Sequence, residues 1–187
     1  MAARIAGVGK YLPQRVLTNH DLEKLVETSD AWIVERTGIR QRRIAADDES
    51  AASMGAAAAR DALANAGIDA ASIDLIVCGT CTGDVFPAAA STIQDAIGAR
   101  HATAFDVNAA CTGFMAAYAT AFSFIQAGTS QHALVIGSDV MSRIVDWKDR
   151  STCILFGDGA GAVILERSSA GSAHPVVLHS DGAGGKY

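Results

Sequence analysis

The chain has 187 residues, of which 50% are hydrophobic, 19% charged and 6% aromatic; this is enough to bury a full core and argues against disorder. Its formal net charge of −5 at pH 7 excludes the bulk electrostatic attraction typical of nucleic-acid-binding domains. No apolar run is long enough to span a bilayer, and the N-terminal MAARIAGVG lacks the apolar core of a signal peptide, so we expect a cytoplasmic protein with no membrane partner.

The first third of the chain alternates between strand and helix signals. RIAGVGKYLP predicts a strand and a turn, whereas TNHDLEKLVE and TSDAWIVERTG each predict a short helix. We expect Thr28 or Ser29 to cap the second of these helices and Gly38 to end it. ESAASMGAAAARDALANAG is rich in alanine and closes with Gly67, which predicts a longer helix.

The same alternation continues along the rest of the chain. DLIVCGT, TAFDVN and HALVIGSD predict buried strands, and between them PAAASTIQDAIGA, with Pro87 in its first turn, and TGFMAAYATAFSFIQAG predict helices. CILFGDGAGAVILERS predicts a hairpin-like pair of strands around its glycines, and PVVLHSD predicts a last strand. This order predicts an α/β fold with a mixed, mostly parallel sheet that is covered on both faces.

The helix TGFMAAYATAFSFIQAG is apolar nearly all round, which predicts burial on every side. The predicted strands can cover only part of it, and the chain stops shortly after the last of them. Both observations predict that residues 1–187 are one part of a larger fold.

Two motifs are similar to cofactor or redox sites. The glycines of FGDGAGA lead into the strand-like AVILE rather than into a helix, so they favour a tight turn or a close backbone approach over a phosphate loop. Cys78 and Cys81, in CGTC, have redox or zinc spacing, but Cys78 ends an apolar run and no second close Cys/His pair follows. We therefore favour packing over chemistry for this pair.

A basic segment, ERTGIRQRR, interrupts the acidic average of the chain; its arginines are Arg36, Arg40, Arg42 and Arg43. Two interpretations remain open for it. The arginines form either a solvated surface or a basic rim that meets phosphates or an acidic partner.

The segment NAACTGF places Cys111 between a predicted strand and a long predicted helix. Unpaired amides and the helix dipole lower the pKa of a thiol at a helix N-terminus, and the thiolate is the attacking species. Its small neighbours leave space for an acyl group, and amides of the turn could hold an oxyanion. Spacing alone still favours a packed cysteine, and none of the five histidines lies in a motif typical of catalysis.

The segment DVNAACTGF resembles the active-site segment of β-ketoacyl-acyl-carrier-protein synthase III, a condensing enzyme of fatty acid synthesis. TSDAWIVERTGIRQRRIA and DRSTCILFGDGAGAVILE resemble two further motifs of that family, and the resemblance runs from Ile5 to about Asp181. It implies a thiolase-like fold, in which two similar halves pack across buried helices. Residues 1–187 would be the N-terminal βαβαβαββ half of a homodimeric acyltransferase.

The resemblance also implies roles for single residues. Cys111 matches the nucleophile that accepts an acetyl or other short acyl group from coenzyme A. The residues that match coenzyme A contacts are Thr28, Trp32, Arg36 and Arg150. The residues that match the acyl pocket are Phe86, which enters the partner subunit's pocket, Met141 and Phe156. We expect malonyl-acyl-carrier protein, the second substrate, to meet the basic segment at Arg40 and Arg42; no metal and no cofactor besides the acyl-CoA substrate is implied.

One departure from the family concerns the rest of the catalytic site. The histidine and asparagine that complete the family's Cys-His-Asn site match no segment of this chain, so we expect the chain alone to hold the nucleophile without performing condensation. Three alternatives stay open: a secondary-metabolite condensing enzyme that uses another acyl-CoA, a non-catalytic interaction subunit, and a thiol-redox protein working through Cys78 and Cys81. The presence of Cys111 argues against the interaction subunit.

Overall fold

The computed structural model describes residues 2–84, 86–170 and 176–186. Its strands are β1 (Ala2–Tyr11), β2 (Arg15–Thr18), β3 (Gln41–Ile44), β4 (Leu75–Gly79), β5 (Thr103–Val107), β6 (His132–Val140) and β7 (Asp158–Ser168). Its helices are α1 (Asn19–Leu22), α2 (Asp30–Thr37), α3 (Ala51–Ala66), α4 (Ala89–Ile97), α5 (Gly113–Ala127) and α6 (Arg150–Cys153). Short 3-10 turns lie at Ala70–Ser72, Ala110–Thr112, Met141–Arg143 and Gly182–Lys186.

A five-stranded sheet in the order β1-β7-β6-β4-β5 forms the centre of the fold, and β2 and β3 form a separate hairpin. β4 pairs in parallel with β5 and with β6, whereas β7 lies antiparallel between β6 and β1. Within this sheet β7 therefore runs against the other strands, which confirms the mixed, mostly parallel sheet. Because β4, β5 and β6 are parallel, their carboxyl ends lie at one edge of the sheet.

α3 and α4 cover one face of the sheet. Most of the buried residues of α3 are alanines, and they pack with Ile76, Ile136 and Ile164 from the strands. Their small side chains allow a very close approach, because a β-carbon on Gly9 of β1 would overlap the Ala62 amide nitrogen. This face is therefore closed by backbone-to-backbone packing.

α5 covers the other face and buries a single stripe against it. The buried positions recur every four residues, which is the spacing of one helix face: Gly113, Ala117, Ala121 and Ile125. On the rest of the helix Met115 is 45% exposed and Phe124 36% exposed. The described residues therefore cover only one side of α5, as expected from the predicted strands. Among these residues, no helix is both long enough and apolar enough to cross a bilayer.

The helix boundaries predicted from capping residues are confirmed. The Ser29 side chain accepts a hydrogen bond from the Trp32 amide at 3.2 Å, and Gly38 ends α2 with φ of 72°. Gly67 ends α3 in the same left-handed conformation, with φ of 66°. These signals are local, so the sequence specifies them without tertiary contacts.

The structure corrects two predictions in the first half of the chain. TNHDLEKLVE is helical only over α1, because Leu25 is exposed and has no core to pack against, while the Glu23 carboxylate accepts the Asp30 amide at 2.7 Å and ties the chain into a loop. Pro87 precedes α4 instead of lying in its first turn, since Ala88 is the N-cap.

Two further corrections concern the C-terminal third. CILFGDGAGAVILERS forms the end of α6 and then the single strand β7 rather than a hairpin, because β7 pairs along its length with both β1 and β6. Most of PVVLHSD is described, and residues 176–181 form no strand; Val177 is 74% exposed, so no apolar contact holds it in a sheet. The first residue of that segment lies outside the described residues.

Candidate active site

Cys111 lies at the centre of the 3-10 turn that joins β5 to α5. Ala110, just before it, has φ of 46°, a left-handed conformation that costs a residue with a β-carbon about 1–2 kcal/mol. The Asn108 side chain accepts a hydrogen bond from the Ala110 amide at 3.2 Å and so stabilises this conformation. Cys111 is an exposed free thiol, so a solvent-borne reagent can reach it.

The thiol stands at the amino end of α5. The N-cap residue of this helix is Thr112, and among the described residues no side chain caps it. The first amides of a helix and its dipole together favour a negative charge in this position. The predicted location of Cys111, in a small-residue turn between a strand and a long helix, is therefore confirmed.

The carboxyl end of β4 packs directly against the same turn. A β-carbon on Gly79, the last residue of β4, would lie 2.5 Å from the carbonyl carbon of Gly113. This contact between two glycines brings the segment Thr80–Thr82 beside Cys111. The charge of Cys111 accordingly contributes to raising the pKa of Cys81, after desolvation and Asp139.

The Asp139 carboxylate of β6 holds the segment Thr80–Thr82. Its Oδ1 atom accepts the amides of Cys81 at 2.9 Å and Thr82 at 3.1 Å, and the hydroxyl groups of Thr80 at 3.1 Å and Thr82 at 2.8 Å. The Cys81 sulfur lies 3.4 Å from the same oxygen. The Thr82 hydroxyl in turn accepts the Val140 amide at 2.8 Å. One carboxylate thus fixes three consecutive residues at the edge of the site.

A second carboxylate, Asp106 at the carboxyl end of β5, holds the start of α4. Its two oxygens accept the amides of Ala89 and Ala90, each at 2.8 Å. Ala88, the N-cap of α4, provides no side-chain acceptor, so Asp106 satisfies helix amides that a capping residue would otherwise bind. Asp106 also lines a cavity of about 400 Å³ together with Cys81 and Asn108.

The four residues for which the resemblance implies contact with coenzyme A lie together on the surface formed by α2 and α6. The Arg36 guanidinium carbon lies 4.4 Å from the centre of the Trp32 ring, and the Arg150 guanidinium carbon lies 4.7 Å from it. Arg150 also donates to the Glu27 carbonyl oxygen at 3.1 Å. The Thr28 hydroxyl oxygen is buried and lacks a hydrogen-bond partner among the described residues. Indole and guanidinium groups in this arrangement form a face that can stack on an aromatic ring and contact phosphate.

The basic segment divides into a buried and an exposed part. Arg42 is 5% exposed, donates to Asn19 Oδ1 at 2.9 Å and to the Ile154 carbonyl oxygen at 2.6 Å, and has its pKa lowered by burial. The assignment of Arg42 to carrier-protein docking is therefore wrong, since its guanidinium is buried and donates hydrogen bonds within the chain. Arg40 is exposed and remains a candidate for such contact.

The residues that match the acyl pocket lie in different environments. Met141 is half-buried, and its sulfur lies 4.0 Å from the Cys81 sulfur at the edge of the Cys111 site. Phe86 is 83% exposed, and Phe156 is half-buried in the loop between α6 and β7. The structure thus joins Met141 to the Thr80–Thr82 segment and presents Phe86 outward.

The two cysteines of CGTC differ from each other. Cys78 is buried in the core under α3 and α4, and burial raises its pKa above the ordinary value. Cys81 is exposed, and its pKa is also raised, by desolvation first and then by Asp139. The prediction of a packing role is therefore confirmed for Cys78 and wrong for Cys81. Redox pairs need a thiol with a lowered pKa, so the thiol-redox alternative finds no support here.

The two histidines that adjoin strands of the central sheet lie away from Cys111. His132 begins β6 and His101 precedes β5; both strands start at the edge of the sheet opposite the one where β5 ends. His20 in α1 pairs with Glu23 at 3.3 Å. Among the described residues, no group of three His, Cys, Asp or Glu side chains is arranged to hold a metal ion.

Sequence reasoning missed the two carboxylates that organise this edge. Both Asp106 and Asp139 are acidic residues near the carboxyl ends of otherwise apolar strands, in FDV and SDV. Acidic residues at the carboxyl ends of parallel strands in one sheet lie at the same edge of that sheet, and here β4 separates the two strands. That signal was available in the sequence.

Comparisons with known proteins found relatives over most of the chain. The family model described as 3-oxoacyl-[acyl-carrier-protein (ACP)] synthase III matches residues 105–182. A β-ketoacyl-[acyl-carrier-protein] synthase III of Rhizobium johnstonii is 57% identical over 163 residues, which are 87% of this chain and 50% of that protein. The chain spans about half the length of the curated relatives it matches.

Solved structures give the same result for the fold. The 3-oxoacyl-[acyl-carrier-protein] synthase III of Aquifex aeolicus is 49% identical with a TM-score of 0.87, over 90% of this chain and 55% of that one. The priming β-ketosynthase of the R1128 polyketide pathway is 42% identical with a TM-score of 0.94, over 98% of this chain and 55% of that one. The sheet, the turn that carries Cys111 and these similarities lead to one conclusion. The chain belongs to the β-ketoacyl-acyl-carrier-protein synthase III family of thiolase-like condensing enzymes.

Proposed function

We propose that the protein containing this chain is a β-ketoacyl-acyl-carrier-protein synthase III that condenses a short acyl group, such as acetyl, with malonyl-acyl-carrier protein. The observation that carries the proposal is Cys111, an exposed free thiol in a strained turn at the open amino end of α5. Membership of a family of condensing enzymes supplies the reaction class.

In the first step the Cys111 thiolate attacks the thioester carbonyl carbon of acyl-CoA. A bond forms from the Cys111 sulfur to the acyl carbon, the bond from that carbon to the coenzyme A sulfur breaks, and coenzyme A leaves as a thiolate that takes up a proton. The amides that open α5 stabilise the attacking thiolate, and amides of the turn suit the oxyanion of the tetrahedral intermediate. The surface of Trp32, Arg36, Arg150 and Thr28 holds the nucleotide part of coenzyme A in this proposal.

In the second step malonyl-acyl-carrier protein loses carbon dioxide, and the resulting carbanion attacks the acyl carbon on Cys111. The products are the β-ketoacyl-carrier protein and the free Cys111 thiolate. We propose that this chain is the N-terminal half of the enzyme and that the histidine and asparagine for this step come from a second half. Phe86, Met141 and Phe156 would bound the acyl pocket of a homodimer, with Phe86 reaching the partner subunit.

Acyl transfer to Cys111 is the experiment that tests the first step. The chain is incubated with acetyl-CoA, digested and mapped by mass spectrometry, with Cys111→Ala as the matched control. We expect one acetyl group on the Cys111 peptide and no acetoacetyl-carrier protein from the chain alone. Absence of acetyl from Cys111 in folded full-length protein would refute the proposed nucleophile, and acetoacetyl product from the purified chain would refute the division of the site between two halves.

The acidic carrier protein would meet the exposed part of the basic segment at Arg40. Charge reversal tests this contact: Arg40→Glu should weaken carrier-protein binding by about tenfold, which is the effect of losing one charge-assisted contact. Arg100→Glu makes the same charge change at an exposed position before β5, at the opposite edge of the sheet, and should leave binding unchanged. Equal binding by the Arg40 variant and the wild-type chain would exclude Arg40 from docking.

A second candidate function rests on the similarity to the R1128 priming β-ketosynthase, which is 42% identical with a TM-score of 0.94. In that case the reaction at Cys111 is the same and the acyl-CoA differs. A panel of acyl-CoA substrates of increasing chain length, read out as acyl mass on the Cys111 peptide, separates the two candidates.

A further inference from the structure

Two cysteines share the edge of the sheet where acyl transfer is proposed, yet only one of them suits the reaction. Cys81 is exposed, as Cys111 is, and the close contact of Gly79 with Gly113 holds their segments together. A thiol in that position could compete for acyl-CoA or for any electrophile that enters the site. The question is what separates the two thiols chemically.

The hydrogen bonds of Asp139 provide the difference. An ionised carboxylate can only accept hydrogen bonds, and here the donors come from three consecutive residues, Thr80, Cys81 and Thr82. The Cys81 sulfur, 3.4 Å from Asp139 Oδ1, must keep its proton to donate in this contact. The sulfur also lies 4.0 Å from the Met141 sulfur. The thiol therefore contacts both a charge that opposes ionisation and a side chain that cannot stabilise an anion.

We propose that Asp139 is a positioning residue for the Cys111 site: it fixes the Thr80–Thr82 segment with Cys81 as a protonated donor against Met141, so that electrophiles and acyl groups react at Cys111. The part of this inference that concerns acyl groups rests on the proposed function. The part that concerns the chemistry of Cys81 does not. Cys81 and Met141 together then form an inert, sulfur-lined wall beside the nucleophile.

The charged and titratable groups around Cys81 define how the test is designed. Desolvation, the Asp139 charge, the hydrogen bond to Asp139 and the neighbouring Cys111 all raise the pKa of Cys81, in that order. Asp84 and Asp106 line the same cavity. A change confined to Asp139 leaves the other groups in place, so a change in Cys81 reactivity reports on Asp139.

The experiment follows alkylation of each cysteine by iodoacetamide over a pH series. The reaction forms a bond from the thiolate sulfur to the acetamide carbon and releases iodide, so its rate follows the thiolate fraction. Tryptic cleavage after Arg100 places Cys81 and Cys111 on different peptides, and fragment spectra separate Cys81 from the buried Cys78. In the wild-type chain we expect the midpoint for Cys81 to lie above the ordinary thiol value of about 8.5.

Asp139→Asn keeps an oxygen acceptor and removes the charge. We expect the Cys81 midpoint to move to lower pH, with alkylation below the midpoint rising about tenfold for each unit of pKa lost. Asp74→Asn is the matched control, because Asp74 organises Ser130, Gln131 and His132 through a similar set of hydrogen bonds at the opposite edge of the sheet. It should leave the Cys81 midpoint where it is.

The outcomes separate this inference from the proposed function. A Cys81 midpoint that stays unchanged in folded Asp139→Asn, or that moves equally in Asp74→Asn, would overturn it. If Asp139→Asn does not fold, the wild-type profile decides, since an ordinary midpoint for Cys81 contradicts the proposal. In a parallel acetyl-CoA experiment the variant should gain acetyl on Cys81. Failure of acetyl transfer to Cys111 in the wild-type protein refutes the proposed function while the alkylation result still tests Asp139.

Discussion

The two faces of the central sheet are built from different side chains and are covered to different extents. Under α3 the packing is made by alanines such as Ala58 and Ala62, which are fully buried. Under α5 the buried stripe is also mostly small, with Ala117 and Ala121 at its centre. Larger groups beside that stripe, among them Phe114, Tyr118 and Phe122, stay only partly buried. Small residues let a helix and a sheet close on each other within one chain, whereas large rings project past the contact and leave apolar surface for a further layer.

A groove beside α5 also leaves apolar surface uncovered. It has a volume of about 400 Å³, its residues come from β1, β6, β7 and the start of α5, and they include Val8, Phe114 and Val163. Val8 is 54% exposed although it lies in a central part of β1. If the proposed second half of the enzyme exists, we expect it to pack over this groove and the outer side of α5.

The largest effect should come from filling the close contact under α3. A methyl group on Gly9 would overlap the Ala62 amide nitrogen and the Ala58 carbonyl oxygen, and backbone atoms of two elements cannot shift independently. We expect Gly9→Ala to lower the free energy of unfolding by about 3 kcal/mol or more, as overpacking of a rigid contact does. Urea unfolding followed by circular dichroism measures it.

The control for this prediction is a strand glycine with space around it. A β-carbon on Gly161 would meet only the Gly9 carbonyl oxygen, at 4.0 Å, and Gly161 borders the groove beside α5. Gly161→Ala should change stability by less than about 1 kcal/mol. Equal losses at the two glycines would show that the faces do not differ in tightness.

The local features of the fold could be predicted from the sequence. Ser29 and Gly38 bound α2, and Gly67 ends α3, because caps depend on residues within one turn of the helix. The alternation of strands and helices gave the fold class for the same reason. The location of Cys111 followed from a small-residue turn between a strand and a long apolar segment.

The errors arose wherever distant residues decide the outcome. Arg42 is buried because Asn19 and the Ile154 carbonyl, far away in the chain, accept its hydrogen bonds. β7 is one strand because β1 and β6 pair with both of its edges. Asp139 acts on Cys81 across 58 positions. Periodicity and composition carry no information about such pairings.

Two substitutions in α5 should separate its inner from its outer side, and the outer one should have the smallest effect. Ile125 is fully buried against the sheet, whereas Met115 is 45% exposed on the same helix. Ile125→Ala removes buried methyl groups and leaves a cavity, so we expect it to cost about 2–4 kcal/mol. Met115→Ser removes a side chain that contacts water in this chain, so we expect a change within about 0.5 kcal/mol.

The Met115→Ser variant also tests whether a second half covers the outer side of α5 in a longer protein. If a second half covers α5 in a longer protein, Met115→Ser should cost that protein about 1–3 kcal/mol, because the same side chain then leaves a buried contact. Thermal unfolding of the variant in both lengths of protein gives the comparison directly. A cost below about 0.5 kcal/mol in the longer protein would mean that the outer side of α5 stays in water there, and the difference between the two faces would then persist in the longer protein.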